Sequence, residues 1–154
     1  SADVANNSGN ADLFNDSEGV LYAEIAIQGN MGDHQNITAS DSSTNNYLKI
    51  IYLNNTNKIR GEIKGGGASD YIDFTSIQFQ QFYKVAISYK SSEFKMFVDG
   101  TQIGSTITSF NLPTGLNELA FDRGDGGLDF YSKTKAVAVF KEALTDEQLQ
   151  ELTS

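Results

Sequence analysis

The stretch Phe82–Ser105, FYKVAISYKSSEFKMFVDGTQIGS, decides the fold class. Residues 82–90 and 94–98 alternate between apolar side chains and smaller or charged ones, and this period of two is typical of β-strands. Asp99 and Gly100 follow directly, and this dipeptide favours a type I′ turn, in which both central residues need a positive φ. The stretch therefore predicts three consecutive antiparallel strands joined by short turns.

The remainder of the chain continues this rhythm of short strands and polar turns. Further strands are expected at residues 20–27, 36–40, 47–53, 58–64, 70–77, 106–111, 118–121 and 135–140. A helix is expected after the last strand, because Thr145 and Gln148 form a capping box with Leu144 and Leu149 at the flanking staple positions. This pattern predicts an all-β, two-sheet antiparallel jelly-roll sandwich with a short C-terminal helix.

Length and composition favour one domain. With 154 residues the chain is long enough for one core and short for two ordinary domains. Residues 1–12 are small and polar, so we interpret them as a linker or loose N-terminal edge, and residues 13–154 as the sandwich. Because the sequence starts at Ser1 without Met or an apolar leader, we expect it to be part of a longer multidomain chain.

Charge and residue content argue against several classes of function. The net charge of −9 argues against a nucleic-acid partner, since phosphate binding needs a basic stripe. The absence of Cys excludes disulfides, thiol catalysis and Cys-ligated zinc. No apolar run reaches the roughly 18 residues that a spanning helix needs, so membrane insertion is not expected.

Three segments resemble a known family. Residues 83–89, YKVAISY, and 94–100, FKMFVDG, resemble the central strands of concanavalin A-like, laminin-G-like lectin domains. Residues 135–149 resemble that family's closing strand and helix. The resemblance implies a glycan-binding jelly roll, often with bound calcium, in a secreted or cell-surface bacterial protein or on a phage tail fibre. Many relatives carry acidic residues early in the closing strand, where this chain has Lys135 and Ala136.

Catalysis is not expected, and no catalytic residue is assigned. Glycoside hydrolases need two carboxylates about 5 to 10 Å apart. The β-glucan hydrolases of the resembling fold place them on one strand as Glu-x-Asp-x-x-Glu, whereas no Glu in this chain has Asp two residues later. The only His, His34, lies in a polar turn, and no nucleophile elbow is present.

An Asp/Gly-rich segment is the candidate metal site. Asp122, Asp125 and Asp129 lie in a loop whose carboxylates and free carbonyls are of the kind that suits Ca²⁺. Their spacing is not that of an EF-hand loop. Two interpretations stay open, a structural calcium loop and an Asp/Gly turn without metal.

Aromatic and charged side chains alternate outward on three strands and form the candidate glycan site. The paired candidates are Tyr22 with Glu24, Tyr47 with Lys49, and Arg60 with Glu62, and Arg123 beside the Asp loop is a further one. Sugars are held by aromatic faces and by polar groups on their hydroxyls. If the three strands share a sheet, these residues form one binding face. A solvated face with cross-strand ion pairs is the equal alternative, and a register shift of one residue would instead turn the two tyrosines into the core.

The sequence therefore predicts a non-catalytic module that attaches a larger extracellular or virion protein to a polysaccharide or cell-surface glycan. The alternative is a structural or assembly domain of a phage tail or adhesin that makes protein–protein contacts. A small polysaccharide lyase or hydrolase ranks third.

Overall fold

The computed structural model of this chain describes residues 9–154. Its elements are a 3-10 turn (Ala11–Leu13), β1 (Gly19–Ala26), β2 (Gln35–Ser40), β3 (Tyr47–Leu53), β4 (Lys58–Gly65), β5 (Ala68–Phe74), β6 (Phe82–Lys90), β7 (Glu93–Val98), β8 (Thr101–Ile107), β9 (Glu118–Ala120), β10 (Lys133–Phe140) and α1 (Asp146–Leu152). The strands form two five-stranded sheets. We call β10-β1-β6-β7-β8 the helix-side sheet and β5-β4-β3-β2-β9 the open sheet. The predicted two-sheet jelly-roll sandwich with a short C-terminal helix is confirmed.

The N-terminal segment is described only in part. Of the predicted linker, residues 1–12, the first eight lie outside the described residues. Leu13 is 52% exposed, whereas Phe14 is buried in the core. The boundary between linker and sandwich stays a prediction. Within residues 9–154, no helix combines the length and the apolar character that crossing a membrane requires.

The two sheets bury their apolar faces against each other. Alternation places Leu21 and Ile25 of β1 and Ile87 of β6 inward, as predicted, and all three are fully buried. Ile59 of β4 meets them from the open sheet. A Cβ added to Gly61 would lie 2.4 Å from Ile87 Cγ2, so a glycine is required at this close approach of the sheets.

The stretch that decides the fold class forms β6, β7 and β8. The turn prediction is confirmed, since Asp99 and Gly100 have φ values of 49° and 81°. The expected separate strand at residues 106–111 is wrong, because β8 continues to Ile107 and residues 108–117 are irregular. The cause is a bulge near Gly104, which has a φ of 64° and lies where the register between β7 and β8 shifts.

Helix α1 lies on the outer face of the helix-side sheet. Its capping box is confirmed, since Gln148 N donates to Thr145 Oγ1 at 3.2 Å and Thr145 N donates to Gln148 Oε1 at 2.9 Å. Leu149 packs there in a second small core, with Val20, Tyr22, Ala86 and Phe97. The helix therefore covers this face with apolar side chains.

Candidate functional site

The outer face of the open sheet gathers most of the predicted glycan-binding residues. We define the polar face by seven outward residues of β3, β4 and β5, namely Tyr47, Lys49, Arg60, Glu62, Lys64, Tyr71 and Asp73. Antiparallel register sets Lys49 opposite Glu62, and Glu62 opposite Tyr71. Because directly opposed side chains lie about 5 Å apart, the expected pairs on β3 and β4 form one continuous surface.

An exposed aromatic ring lies at one side of the polar face. Tyr71 is 51% exposed, and the Arg60 guanidinium lies 3.5 Å from the centroid of its ring. Arg60 Nε and Nη2 donate to the two carboxylate oxygens of Asp73, at 2.7 Å and 3.1 Å. This bidentate bond lowers the pKa of Asp73 and holds the guanidinium against the ring. The Tyr71 ring is therefore held in place by Arg60 while half of the side chain stays exposed to solvent.

Tyr47 and Glu62 form the centre of the polar face. The Tyr47 hydroxyl donates to Glu62 Oε2, and burial together with this bond raises the pKa of Tyr47 well above its usual range. Tyr47 is buried within the face, with cations over its ring. The ammonium of Lys49 lies 3.9 Å from the ring centroid, and that of Lys64 lies 5.6 Å from it.

Lys49 is the shielded cation of the polar face, with only 4% of its surface exposed. Burial lowers the pKa of Lys49 to about 8, against the opposing effect of the Glu62 carboxylate. The positive charges of Arg123 and Lys64 lower this pKa further, whereas Asp125 acts against them. Lys49 therefore lies among charges from two elements, β4 and the loop that carries Arg123.

The loop after β9 brings Arg123 to the polar face. Thr38 Oγ1 of β2 donates to the carbonyl of Asp122 at 2.6 Å, and Asn36 Nδ2 donates to the carbonyl of Leu128 at 2.9 Å. These two bonds fix the loop along the neighbouring strand. Arg123 Nη2 then pairs with Asp125 Oδ2 at 2.6 Å, at the border of the face.

The three predicted metal ligands point to different partners. Asp122 Oδ1 accepts a hydrogen bond from Gly124 N at 2.6 Å, and Asp129 Oδ2 accepts one from the Tyr131 hydroxyl at 3.3 Å. The Arg123 guanidinium holds the Asp125 carboxylate and lowers its pKa. In the described part of the chain, no three acidic or His side chains are grouped so that they could hold a metal ion. As arranged, the Asp triplet does not fit a shared ligand set, and calcium stays a prediction.

Tyr22 and Glu24 lie on the opposite side of the sandwich. Their strand, β1, belongs to the helix-side sheet, so the condition that all three candidate strands share a sheet is not met for this pair. Tyr22 is buried beneath α1, in the second small core. Glu24 lies 3.8 Å from Lys135 Nζ across the β1–β10 pair. Alternation predicted their outward direction correctly but carries no information about which sheet a strand joins.

Sequence reasoning missed Tyr71 and Asp73. Both point outward on β5, which spans Ala68–Phe74, whereas a strand at 70–77 was expected and its outward residues were not considered. The signal was present, because β4 and β5 form a hairpin through glycines and residues 69, 71 and 73 continue its outward alternation.

Comparison with solved structures finds the same fold in several known proteins. The CBM40 module of Ruminococcus gnavus IT-sialidase bound to α2,3-sialyllactose superposes with a TM-score of 0.69 at 14% identity, over 90% of this chain and 83% of that chain. A SAP-like pentraxin from Limulus polyphemus has a TM-score of 0.69 at 12% identity, over 89% of this chain and 70% of that one. A Trypanosoma rangeli sialidase has a TM-score of 0.65 at 14% identity. The match covers 90% of this chain but only 23% of the sialidase. These similarities establish the fold alone.

Sequence comparison adds the family. A search of curated proteins finds no match. A family model described as the concanavalin A-like lectin/glucanases superfamily matches residues 6–150. The resemblance seen in the central strands and the closing helix is thereby confirmed. Since the match extends over nearly the whole sequence, the chain belongs to the concanavalin A-like lectin/glucanase superfamily.

Proposed function

We propose that this chain is a non-catalytic glycan-binding module and that the polar face holds the sugar. The observation that carries the proposal is the half-exposed Tyr71 ring, which stacks on the Arg60 guanidinium. Charged and hydroxyl groups of the polar face lie beside this ring. Pyranose rings present C–H surfaces that pack on aromatic faces, while charged side chains bind their hydroxyls bidentately. The polar face offers both kinds of contact on adjacent strands.

The polar face is already ordered before a ligand arrives. Asp73 holds Arg60 through two hydrogen bonds, and Glu62 accepts from the Tyr47 hydroxyl. Binding to side chains that are held in place costs little conformational entropy. Affinities of single sites on such open surfaces are expected at millimolar to micromolar, or about −4 to −8 kcal/mol, so avidity would strengthen attachment.

The contacts of the carboxylates on this face support binding rather than catalysis. A glycoside hydrolase needs a general acid whose pKa is raised. Asp73 has the opposite property, since its bond to Arg60 lowers its pKa. Glu62 is bound to the Tyr47 hydroxyl. Neither carboxylate is arranged as the proton donor of a hydrolytic pair.

Attachment of a larger protein to a surface glycan is the finer part of the proposal. In the matched Trypanosoma rangeli sialidase, the region similar to this chain makes up 23% of the polypeptide. The matched Ruminococcus gnavus module belongs to a sialidase and was solved with sialyllactose. A module of this fold joined to a larger chain agrees with an extracellular or virion protein that is tethered to polysaccharide.

Two tyrosines with equal exposure give the matched test. Tyr71 lies on the polar face and Tyr131 precedes β10, and both are 51% exposed. A glycan array identifies a ligand, and isothermal titration then measures its affinity. We expect Tyr71→Ala to weaken binding by about tenfold, or about 1.4 kcal/mol, and Tyr131→Ala to leave it unchanged. Equal losses in both variants would contradict the assignment of the face. Absence of any glycan binding at millimolar concentration would overturn the function in favour of the assembly alternative.

A further inference from the structure

Lys49 has no acidic partner among residues 9–154. It lies mid-strand on β3 with 4% exposure, and it takes part in none of the ion pairs of residues 9–154. Within the same residues, the one fully enclosed side-chain polar atom without a hydrogen-bond partner is Thr134 Oγ1. The Lys49 ammonium has no such partner either, so it must keep a narrow contact with solvent. It is therefore shielded by protein but not completely enclosed.

The carboxylates near Lys49 are engaged with other groups. Glu62 accepts from the Tyr47 hydroxyl, and Asp125 is held by Arg123 through bonds of 2.6 Å and 3.0 Å. Both carboxylates influence the charge of Lys49 but neither forms an ion pair with it. A buried ammonium without an acceptor is unfavourable, and an anion that reaches it would supply the missing partner.

The groups around Lys49 favour an anionic ligand. Lys64 of β4 and Arg123 of the loop are cations that act on Lys49, while Glu62, Asp125 and Tyr47 complete its titratable surroundings. The Arg123 side chain is 44% exposed and its charge acts on Lys49, so it supplies a second, accessible cation. The opposite outer face provides the contrast. There Lys95, with 14% of its side chain exposed, pairs with Asp146 at 2.7 Å and Glu93 at 3.0 Å.

We infer that Lys49 binds a carboxylate group of the glycan, so that the ligand of the polar face is an acidic, carboxylated polysaccharide. This inference rests on the proposed function. The whole chain carries a net charge of −9, so long-range attraction does not draw in such a polymer. Recognition then depends on the short-range contact at Lys49, which salt screens weakly because it is buried.

Matched ligand pairs test the inference. Oligomers of galacturonate, glucuronate and mannuronate, each beside its methyl ester, are titrated at pH 6.5, after an array of carboxylated and neutral glycans. We expect at least one acid to bind about tenfold more tightly than its ester. Lys49→Met is expected to bring the acid and its ester to equal affinity, and Lys95→Met to preserve the preference for the acid. Equal affinities for every acid and its ester would overturn the inference. Loss of the preference in both Lys49→Met and Lys95→Met would overturn it as well.

The pH dependence gives a readout that needs no variant. An anion favours protonated Lys49, so affinity should be constant from pH 6.5 to about pH 8 and fall by up to tenfold per pH unit above it. A flat profile for the acid between pH 6.5 and 9.5 would contradict the inference even if Lys49→Met fails to fold. A further outcome of the array is that neutral glycans bind through Tyr71 and no carboxylated glycan binds more tightly than they do. This result would leave the proposed function intact and remove only the Lys49 subsite. Binding of neither class would remove both.

Discussion

The outer face of the helix-side sheet carries an apolar patch that α1 covers, whereas the outer face of the open sheet is charged and carries an exposed aromatic ring. On the covered face, Tyr22 and Leu149 pack into a second small core. On the open face, Tyr47 turns its hydroxyl to Glu62 and its ring to Lys49. The same residue type thus has a structural role on one face and a candidate binding role on the other. What covers a strand decides between these roles, and alternation alone does not.

The largest effect is expected from removing the covered face's central apolar contact. Leu149 is fully buried, so Leu149→Ala should destabilise the fold by about 2–5 kcal/mol. Urea unfolding measures this loss, and Leu13→Ala, at a 52% exposed leucine, should cost less than about 0.5 kcal/mol. Glycan affinity of the folded fraction should not change. A loss of affinity at pH 7 in Leu149→Ala would break the distinction between the two faces.

Replacing Lys49, the shielded lysine of the open face, should raise the free energy of unfolding instead of lowering it. The pKa of Lys49 falls from 10.5 in the unfolded chain to about 8 in the fold, so folding opposes its protonated form. The cost of burying the Lys49 charge is fully present below pH 8. It decreases between pH 8 and 10.5, and above pH 10.5 it is absent. Lys49→Met should therefore raise stability at pH 7 by about 1–3 kcal/mol and lose this advantage as the pH rises through that window.

Lys95 supplies the control for this stability measurement. Its ammonium is paired with two partly exposed carboxylates, so Lys95→Met should cost about 0–1 kcal/mol, with no gain in that pH window. Urea unfolding of both variants at pH 7 and pH 10.5 makes the comparison. Destabilisation of the fold by Lys49→Met at pH 7 would show that Lys49 is already stabilised within the chain, and the contrast between the faces would then fail.

The N-cap of α1 should have a smaller effect, again confined to the covered face. Thr145 Oγ1 accepts from Gln148 N, and Thr145→Ala removes this bond at a cost of about 1 kcal/mol. Thr145→Ser keeps the hydroxyl and should cost much less. Thermal or urea unfolding measures both variants. Equal effects of the two substitutions would show that the methyl group and not the cap matters.

The smallest effect on stability is expected from added calcium. Asp125 is engaged by Arg123, so an ion at the predicted loop must compete with this pair. The calcium prediction requires a small rise of the melting temperature with added Ca²⁺ that Asp125→Ala abolishes. A melting temperature that EDTA and added Ca²⁺ both leave unchanged would contradict it.

Local patterns predicted much of the sandwich. The strands at 47–53 and 82–90 have the expected bounds, and the turn at Asp99–Gly100 and the capping box at Thr145 have the expected geometry. These features depend on neighbours within a few residues, which a sequence displays directly. The inward set of β1 was likewise predicted, because a strand buried on one face has a period of two.

Non-local features were not predictable in the same way. Whether β1 pairs with β3 or with β6 and β10 depends on contacts between distant segments, so the sequence left open whether Tyr22 joins the binding face. The burial of Lys49 is also not apparent from its strand, since part of its surroundings comes from the loop that carries Arg123. Of the candidate site, the pairs on β3 and β4 were predicted, whereas their partners on β5 required the folded sheet.

The most direct test of the binding face is an NMR titration of the ¹⁵N-labelled chain with the best ligand from the glycan array. Our account predicts that amide shift changes concentrate on the outward residues of β3, β4 and β5 and on the Arg123 loop, while α1 and β1 stay unperturbed. Changes that concentrate on α1 and β1, or a spectrum that a millimolar concentration of this ligand leaves unchanged, would contradict it.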